Sequence, residues 1–204
     1  MLQAALVVAD REGIEGLSIR HIAEELGAKP MALYNHIADK SDILDGLVDL
    51  VFAEIVVASG DADWKVAMRL RAHSARAALM RHSWASALMQ SRTSPGPATL
   101  RHQDAVIGRL LQAGFTIHQA AHAFSLMDSY IYGFAQQLQN LTYSTPDEAA
   151  AVAEGILRQL PSSEYPHLAR MLTEHALQPD YDYAAEFGFG LELLLDGLER
   201  VLSS

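Results

Sequence analysis

The chain has 204 residues and a mass of 22.3 kDa, with half of its residues apolar and a fifth charged. This composition is typical of a globular protein with a buried core, and it excludes intrinsically disordered and collagen-like chains. The absence of cysteine excludes disulfides, thiolate zinc sites and cysteine nucleophiles, and a net charge of −10 argues by composition alone against binding to nucleic acid.

The first sixty residues predict four helices in chain order. Apolar residues with helical spacing run from Leu2 to Ala9, and Gly13 follows where a helix-terminating glycine is expected. Ser18 is a candidate N-cap for a second, short helix that ends at Gly27. Pro30 suits the first turn of a third helix over roughly 30–37, and a fourth helix is expected from about 40 to 57, before a break at 59–61.

Helical spacing continues to the C-terminus, and no segment shows the alternation of a β-strand. Thr116 with Gln119, and Thr145 with Glu148, match capping boxes at helix starts. Further helices are expected at about 63–80, 83–91, 98–113, 117–140, 146–160, 164–177 and 183–202. The sequence therefore predicts an all-α fold, with a small N-terminal unit followed by a larger helical body.

Two C-terminal stretches predict helix–helix contact. Residues 120–135 are apolar on nearly every face, which indicates a helix buried all round. Residues 186–198 carry Gly188, Gly190 and Gly197 inside a helical pattern, where each glycine costs about 1 kcal/mol relative to alanine. Close approach of another helix is the expected reason for these glycines, and we expect both stretches to meet their symmetry mates in a twofold dimer.

Residues 18–40 have the spacing of a helix-turn-helix. Two short helices meet at a glycine-containing turn over 26–29, and in this motif the second helix enters the major groove of DNA. The outward side chains include Arg20, which suits guanine, and Asn35, which suits adenine. The candidate DNA-binding residues are Ser18, Arg20, Lys29, Met31, Ala32, Tyr34, Asn35, His36 and Lys40. An ordinary helical hairpin is the alternative for residues 18–40, and a half-buried core tyrosine is the alternative for Tyr34.

For DNA binding, the positions of the charged side chains in residues 1–50 matter more than their net charge. Residues 1–50 contain four Lys and Arg against nine Asp and Glu, so even this segment is acidic. Three of the four basic residues, Arg20, Lys29 and Lys40, are expected on the helix-turn-helix edge, where they could contact phosphates. The hypothesis requires the acidic side chains of this segment to face elsewhere.

The N-terminal fifty residues resemble the DNA-binding domain of TetR-family repressors, in order and register. The resemblance is carried by 13–20, by Ile22-Ala23 and Leu26-Gly27, by 33–37 and by Lys40-Ser41. The rest of the chain resembles, more weakly, the ligand-binding body of the tetracycline-repressor branch, through Trp64, Arg81-His82, 114–116 and the glycine-rich end at 189–199. The resemblance implies an all-α homodimer with a four-helix interface, a ligand pocket in each body, and DNA contacts at Arg20, Lys29, Tyr34, Asn35, His36 and Lys40.

The chain departs from that branch at two places. Pro30 and Met31 stand where the branch carries a polar reader followed by proline, so a different operator sequence is expected. No histidine lies near 55–57 or at Leu88-Met89, where the branch presents contacts to tetracycline and magnesium. The resemblance thus predicts a ligand other than tetracycline.

A ligand pocket is expected in the body formed by 60–140. Methionine and aromatic side chains there suit an adaptable apolar pocket, although such residues are also ordinary core. The candidate ligand-binding residues are Met68, His73, Trp84, Met89, Phe124, Met127 and Asp128. Asp128, in an apolar helix, could pair with a ligand or an arginine, or could face a wet interface. His73 and His82 could instead be satisfied interior histidines.

Together these features predict a ligand-responsive transcriptional repressor that binds a palindromic operator as a homodimer and is released by a small hydrophobic ligand. Residues 1–45 would form the DNA-binding domain and 46–204 the ligand-binding and dimerisation domain. No catalytic residue or cofactor is expected, because the sequence has no glycine-rich phosphate loop, nucleophile elbow or HExxH motif. No metal site is expected either, because His118 and His122 have zinc-compatible spacing but no third ligand in sequence. The N-terminus has no signal-peptide pattern, and no apolar stretch of the sequence is long enough to span a membrane, so we expect a cytoplasmic protein. The alternative is a helical enzyme or a ligand-binding module without a DNA function.

Overall fold

The computed structural model of the chain describes residues 1–33, 39–58, 60 and 62–203. Its described residues form helices and turns, and none of them lies in a β-strand. The contacts divide the chain into two compact units, one formed by Met1–Gln136 with Leu193–Ser204 and the other by Gln137–Glu192. The predicted all-α fold is therefore confirmed.

The helices follow the predicted order closely. They are α1 (Leu2–Gly16), α2 (Ile19–Glu25), α3 (Pro30–Leu33), α4 (Lys40–Glu54), α5 (Trp64–Arg81), α6 (Ala85–Ser91), α7 (Pro97–Gln112), α8 (Ile117–Gln139), α9 (Pro146–Gln159), α10 (Pro166–Met171) and α11 (Glu186–Leu202). None of these described helices is long and apolar enough to cross a membrane.

The N-terminal helices are shaped by local signals. α1 is kinked at Gly13, whose φ of 73° lies in the left-handed region that glycine adopts readily. The Ser18 hydroxyl caps α2 by accepting a hydrogen bond from the His21 amide at 3.2 Å. Gly27, with a φ of 64°, turns the chain towards α3, and Ile22 and Ala23 are fully buried on α2, which contacts both α1 and α3. This is the compact helix pair that a helix-turn-helix requires.

Helix α4 joins this N-terminal group to the body. Its buried side chains, which include Leu47 and Val51, lie on a helix that contacts α1 as well as α5, α6 and α7. α4 ends at Glu54, three residues before the predicted end, where Ile55 takes an extended conformation. The body continues with α5, whose buried face is rich in alanine and therefore allows neighbouring helices to approach closely.

The second unit departs from the prediction at one place. Residues 164–177 are not a single α-helix, because α10 ends at Met171 and a π-helical turn follows over Leu172–Ala176. The Thr173 hydroxyl donates to the Ala169 carbonyl at 2.8 Å, and such a bond competes with the regular backbone ladder. The Thr145–Glu148 capping box at the start of α9 is formed as predicted.

Residues 120–135 are not buried on every face within one chain, which corrects the prediction. Ala120, Ala123, Met127 and Ile131 are buried, but Leu126 is 45% exposed. α11 is divided in the same way, since Phe187 and Leu191 are buried whereas Phe189 is 69% exposed and Leu193 is 57% exposed. A side chain built at Gly188 would meet no atom of its own chain within 4 Å, so the close approach predicted there does not come from the described part of this chain.

Candidate nucleic-acid interface and ligand site

The helix-turn-helix exposes most of the described candidate DNA-binding side chains. Arg20, Lys29, Met31 and Ala32 are all exposed, and Met31 is 75% exposed although it is apolar. They lie on α2, on the turn after Gly27 and at the start of α3, where Leu33 is buried beneath them. Tyr34, Asn35 and His36 lie outside the described residues, so their predicted contacts stay predictions.

Two of the basic side chains are engaged in the free protein. Arg20 forms an exposed i,i+4 ion pair with Glu24 at 2.8 Å, which holds the pKa of Glu24 below its usual value. Lys40 Nζ donates to the Ile14 carbonyl at 3.3 Å. Both interactions are exposed, so water and salt weaken them and a phosphate or a base can replace these partners at small cost. Ser18 is exposed, and its hydroxyl is already occupied as the N-cap of α2.

The structure explains how an acidic N-terminal segment can present a basic edge. Asp45 on α4 pairs with Arg92 at 2.5 Å. Asp49, one turn further along α4, accepts hydrogen bonds from the amides of Ala98 and Thr99 at the N-terminus of α7. A carboxylate is favoured at a helix N-terminus because the unpaired amides there carry partial positive charge. These two acidic side chains therefore face the body, as the hypothesis required.

Two further acidic side chains share one arginine within the N-terminal helices. Arg11 binds Glu25 at 2.9 Å and Glu12 at 3.0 Å. His21 also lies 2.7 Å from Glu12. Arg11 is already counted in the net charge of −5 over residues 1–50, so these pairs fix where the acidic side chains lie, whereas Arg92 adds a compensating charge from outside the segment.

A charged cluster lies inside the body around Arg71. This arginine on α5 is 1% exposed, and its Nε donates to His102 Nε2 on α7 at 3.0 Å. Its Nη2 donates to Asp128 Oδ1 on α8 at 2.5 Å, and Tyr132 donates to the other oxygen of Asp128 at 3.4 Å. The guanidinium also lies over the Phe124 ring, 5.4 Å from its centroid. Arg71 Nη1 and His102 Nδ1 are buried without a hydrogen-bond partner among the described residues.

Burial sets the protonation of this cluster. Desolvation, with the adjacent positive charge of Arg71, lowers the pKa of His102 to about 4, and the Ile55 backbone opposes only part of that lowering. Burial and the nearby Asp128 carboxylate raise the pKa of Tyr132 well above its usual range. At neutral pH the cluster therefore holds a neutral imidazole, a neutral phenol and one ion pair.

The candidate ligand-binding residues separate into two groups. Phe124 and Asp128 contact Arg71 directly, and Met68 and Met127 are fully buried on the same two helices, α5 and α8. Met89 lines a cavity of about 110 Å³ between α4, α6 and α7, together with Phe52, whose ring centroid lies 5.4 Å from that of His102.

His73 and Trp84 have different surroundings from the Arg71 cluster. His73 is exposed on α5. The Trp84 indole donates to Asp10 on α1 at 2.8 Å. Their predicted role in ligand binding stays a prediction. Arg71 and His102 were not predicted, and the signal that could have found Arg71 was Asp128, for which a buried arginine partner was one expected alternative.

Family models match both parts of the chain. One described as "Bacterial regulatory proteins, tetR family" matches residues 1–47, and one described as "Tetracyclin repressor-like, C-terminal domain" matches residues 58–202. The second match alone extends over more than half of the chain.

Individual proteins agree with these matches over nearly the whole chain. The HTH-type transcriptional repressor DrrR1 of Streptomyces coeruleorubidus is 34% identical over 212 residues, which cover 100% of this chain and 77% of that protein. The tetracycline repressor class A from transposon 1721 of Escherichia coli is 30% identical, over 98% of this chain and 89% of that protein. The solved structure of ActR from Streptomyces coelicolor in complex with actinorhodin superposes with a TM-score of 0.81 at 24% identity, covering 100% of this chain and 96% of that one, and this likeness concerns the fold alone.

Proposed function

The chain belongs to the TetR family of bacterial transcriptional regulators, and we propose that it is a ligand-responsive repressor that binds a palindromic operator as a homodimer. The observation that carries this proposal is the helix-turn-helix in which Arg20, Lys29 and Lys40 are each exposed while Asp45 and Asp49 face the body. Repression rather than activation is supported by the name of DrrR1, which covers the whole of this chain at 34% identity. The protein would act in the cytoplasm, on double-stranded DNA.

The DNA-binding role is divided among the exposed side chains. Arg20 would read a base edge. Lys29 and Lys40 would contact phosphates on either side of the recognition helix, which is the second helix of the helix-turn-helix. Tyr34, Asn35 and His36, which lie outside the described residues, would supply the remaining contacts. Residues 1–45 would form this DNA-binding part, and residues 46–204 the part that binds ligand and forms the dimer.

Dimerisation is supported by the exposed apolar side chains of two helices. Leu126 on α8, and Phe189 and Leu193 on α11, are large apolar residues with much of their surface exposed. Phe189 and Leu193 are four residues apart, so they lie on one face of α11, and Gly188 beside them leaves open space. A second copy of the chain would cover these exposed side chains on each helix, as the predicted twofold interface requires.

For a ligand to release the protein from DNA, a change in the body must reach the DNA-binding helices, and α4 connects the two. Its Asp45 and Asp49 are tied to Arg92 and to the N-terminus of α7, and the same helix contacts α1. Phe52 of α4 also lines the small cavity beside His102. A ligand that enlarges this cavity would displace α4 and thereby change the separation of the two recognition helices in the dimer. Such a ligand must bind the displaced state more tightly, because equal affinity for both states shifts nothing.

Selection of bound sites from random duplex DNA by the purified full chain tests the proposal. We expect enrichment of inverted repeats, with half-sites roughly 10 bp or more apart from centre to centre. The double variant Arg20→Ala, Lys40→Ala serves as the control and should lose the enrichment. A helical ligand-binding module without a DNA function would enrich no sequence.

A further inference from the structure

The Arg71 cluster offers hydrogen-bond donors that the protein does not use. Arg71 is almost completely buried, yet its Nη1 has no acceptor among the described residues. A buried donor that lacks an acceptor is costly, and few such groups occur in native proteins. The unused donors are thus evidence for an acceptor that another molecule supplies.

His102 presents a second donor of the same kind. Its Nε2 accepts the Arg71 Nε–H at 3.0 Å, so on the neutral ring the proton must lie on Nδ1. Nδ1 faces the backbone of Ile55, which raises the pKa of the ring, but it makes no bond of normal hydrogen-bond geometry there. Arg71 Nη1 is thus an unused donor and His102 Nδ1 is a poorly satisfied one, so the missing partner is an acceptor rather than an amine or an ammonium.

The charge of the cluster restricts the acceptor further. The positive charge of Arg71 is already compensated by Asp128, and both Tyr132 and His102 are neutral at pH 7. A ligand carboxylate would add a second negative charge to a site from which water is largely excluded, and an uncompensated buried charge is strongly unfavourable. A neutral oxygen, such as that of a ketone, quinone or amide, satisfies the donors without that cost.

The surroundings of the cluster determine the body of the ligand. The Phe124 ring lies against the guanidinium of Arg71, and the Phe52 ring lies against His102. Phe52 and Met89 line the adjacent cavity of about 110 Å³, which is smaller than the roughly 300–1,000 Å³ of ordinary ligand pockets. A ligand of drug size must therefore displace flexible or aromatic side chains such as these, which suits an aromatic compound.

We propose that Arg71, assisted by His102, binds a neutral carbonyl-type oxygen on an aromatic ligand, and that Asp128 makes the site select this oxygen over a carboxylate. This inference rests on the proposed function, because it names the ligand chemistry of the same regulatory site. Asp128 acts as the counter-charge of Arg71 and not as the group that contacts the ligand.

Three compounds of one shape test the proposal: 9-fluorenone, which carries a neutral carbonyl, fluorene, which carries no acceptor, and fluorene-9-carboxylate. Their affinities for the full-length protein are measured by equilibrium dialysis without DNA. We expect 9-fluorenone to bind about 10-fold or more tightly than either of the others, which corresponds to one well-made hydrogen bond to a charged donor. Arg71→Met should abolish that preference, and His102→Phe, which keeps a ring beside Phe52, should reduce it. The exposed Arg101→Met on α7 is the matched control and should leave it unchanged.

The variant Asp128→Asn distinguishes a site that selects a neutral oxygen from a site that binds any anion. Removing the counter-charge should raise the affinity for fluorene-9-carboxylate relative to 9-fluorenone by about 10-fold or more. Tighter binding of the carboxylate by the unmodified protein, or equal binding of fluorene and 9-fluorenone, would overturn the proposal. Failure of all three compounds to bind would also overturn it, and selection of operator sites by the same preparation would then show that the proposed DNA function stands independently.

Discussion

His82 Nδ1 lies 2.7 Å from Asp10 Oδ1, which joins the end of α5 to α1. The other ring nitrogen of His82 lies 3.1 Å from Glu54 at the end of α4, so one buried imidazole connects three helices. Both nitrogens face carboxylates, and both can donate only when the ring carries two protons. Partial burial raises the pKa of Glu54, but the hydrogen bonds from Arg81 and His82 outweigh it, and that pKa lies below its usual value.

Replacement of His82 tests whether this junction holds the DNA-binding helices against the body. We expect His82→Phe to lower the free energy of unfolding by about 1–3 kcal/mol, because Asp10 and Glu54 lose their shared donor. Urea unfolding at a fixed protein concentration measures this change. Trp84→Phe, which removes the indole bond to Asp10 and keeps an aromatic ring beside His82, is the matched control and should cost about 1 kcal/mol or less. Unchanged stability of His82→Phe would show that the junction is not a structural link.

The Arg20–Glu24 pair gives a prediction about DNA. Arg20→Ala should cost about 1–3 kcal/mol of operator affinity and relax the preference at one base position. Glu24→Gln should instead strengthen binding to all duplexes, because it removes a negative charge beside the phosphates and releases Arg20. Fluorescence anisotropy over a range of salt concentrations measures both effects. Glu154→Gln breaks an equivalent exposed pair with Arg158 on α9, and it should change neither the affinity for the operator nor the affinity for other duplexes.

His102 gives a pH dependence whose sign follows from its pKa. The group has a pKa of about 4 in the folded chain against 6.5 in the unfolded chain, so between these values the unfolded chain binds more protons. Stability is therefore lost as the pH falls from about 6.5 to 4, by on the order of 3 kcal/mol from this group.

The variant His102→Phe isolates that contribution from the carboxylates that titrate in the same range. We expect the stability difference between the unmodified protein and His102→Phe to fall steadily over this pH range and to be constant above about pH 7. Urea unfolding at half-unit steps of pH measures it. A difference that does not change with pH would mean that His102 is not held neutral by burial.

Local features of this fold were predictable from sequence, and long-range ones were not. Ser18, Gly27 and the Thr145–Glu148 pair were identified correctly because each acts through hydrogen bonds or backbone angles within three residues. Arg71 was not identified, because its burial depends on His102 and Asp128, which lie 31 and 57 positions away. An arginine on a helix is ordinarily exposed, and nothing within its own helix distinguishes it.

The junction at His82 illustrates the same limit. Its partner Asp10 is 72 positions away, so the sequence left His82 as either a pocket residue or a satisfied interior histidine. The structure supports the second alternative. The end of the predicted helix 164–177 was missed for a different reason, since a side-chain bond from Thr173 to the backbone competes with regular helix formation.

The proposed dimer interface gives a prediction about assembly. Phe189→Glu should convert the dimer to a monomer at micromolar concentration, because it places a charge at the centre of an apolar contact. Gly190→Leu should weaken dimerisation by about 1–3 kcal/mol through overpacking. Leu168→Glu replaces another exposed apolar residue, on α10, and should leave the dimer intact. Sedimentation velocity measures all three, and a stable monomer for the unmodified protein would refute the interface.

The spacing between operator half-sites tests the central claim most directly, since two recognition helices in one symmetric dimer must fit two half-sites at a fixed separation. Operator affinity is measured on a series of duplexes in which the selected half-sites are kept and about one to five base pairs are inserted between them. We expect the affinity to fall towards the non-specific level by about five inserted base pairs, which rotates one half-site by roughly half a turn. An affinity that does not depend on the insertion would contradict a ligand-responsive dimer that reads DNA through its paired helix-turn-helix units.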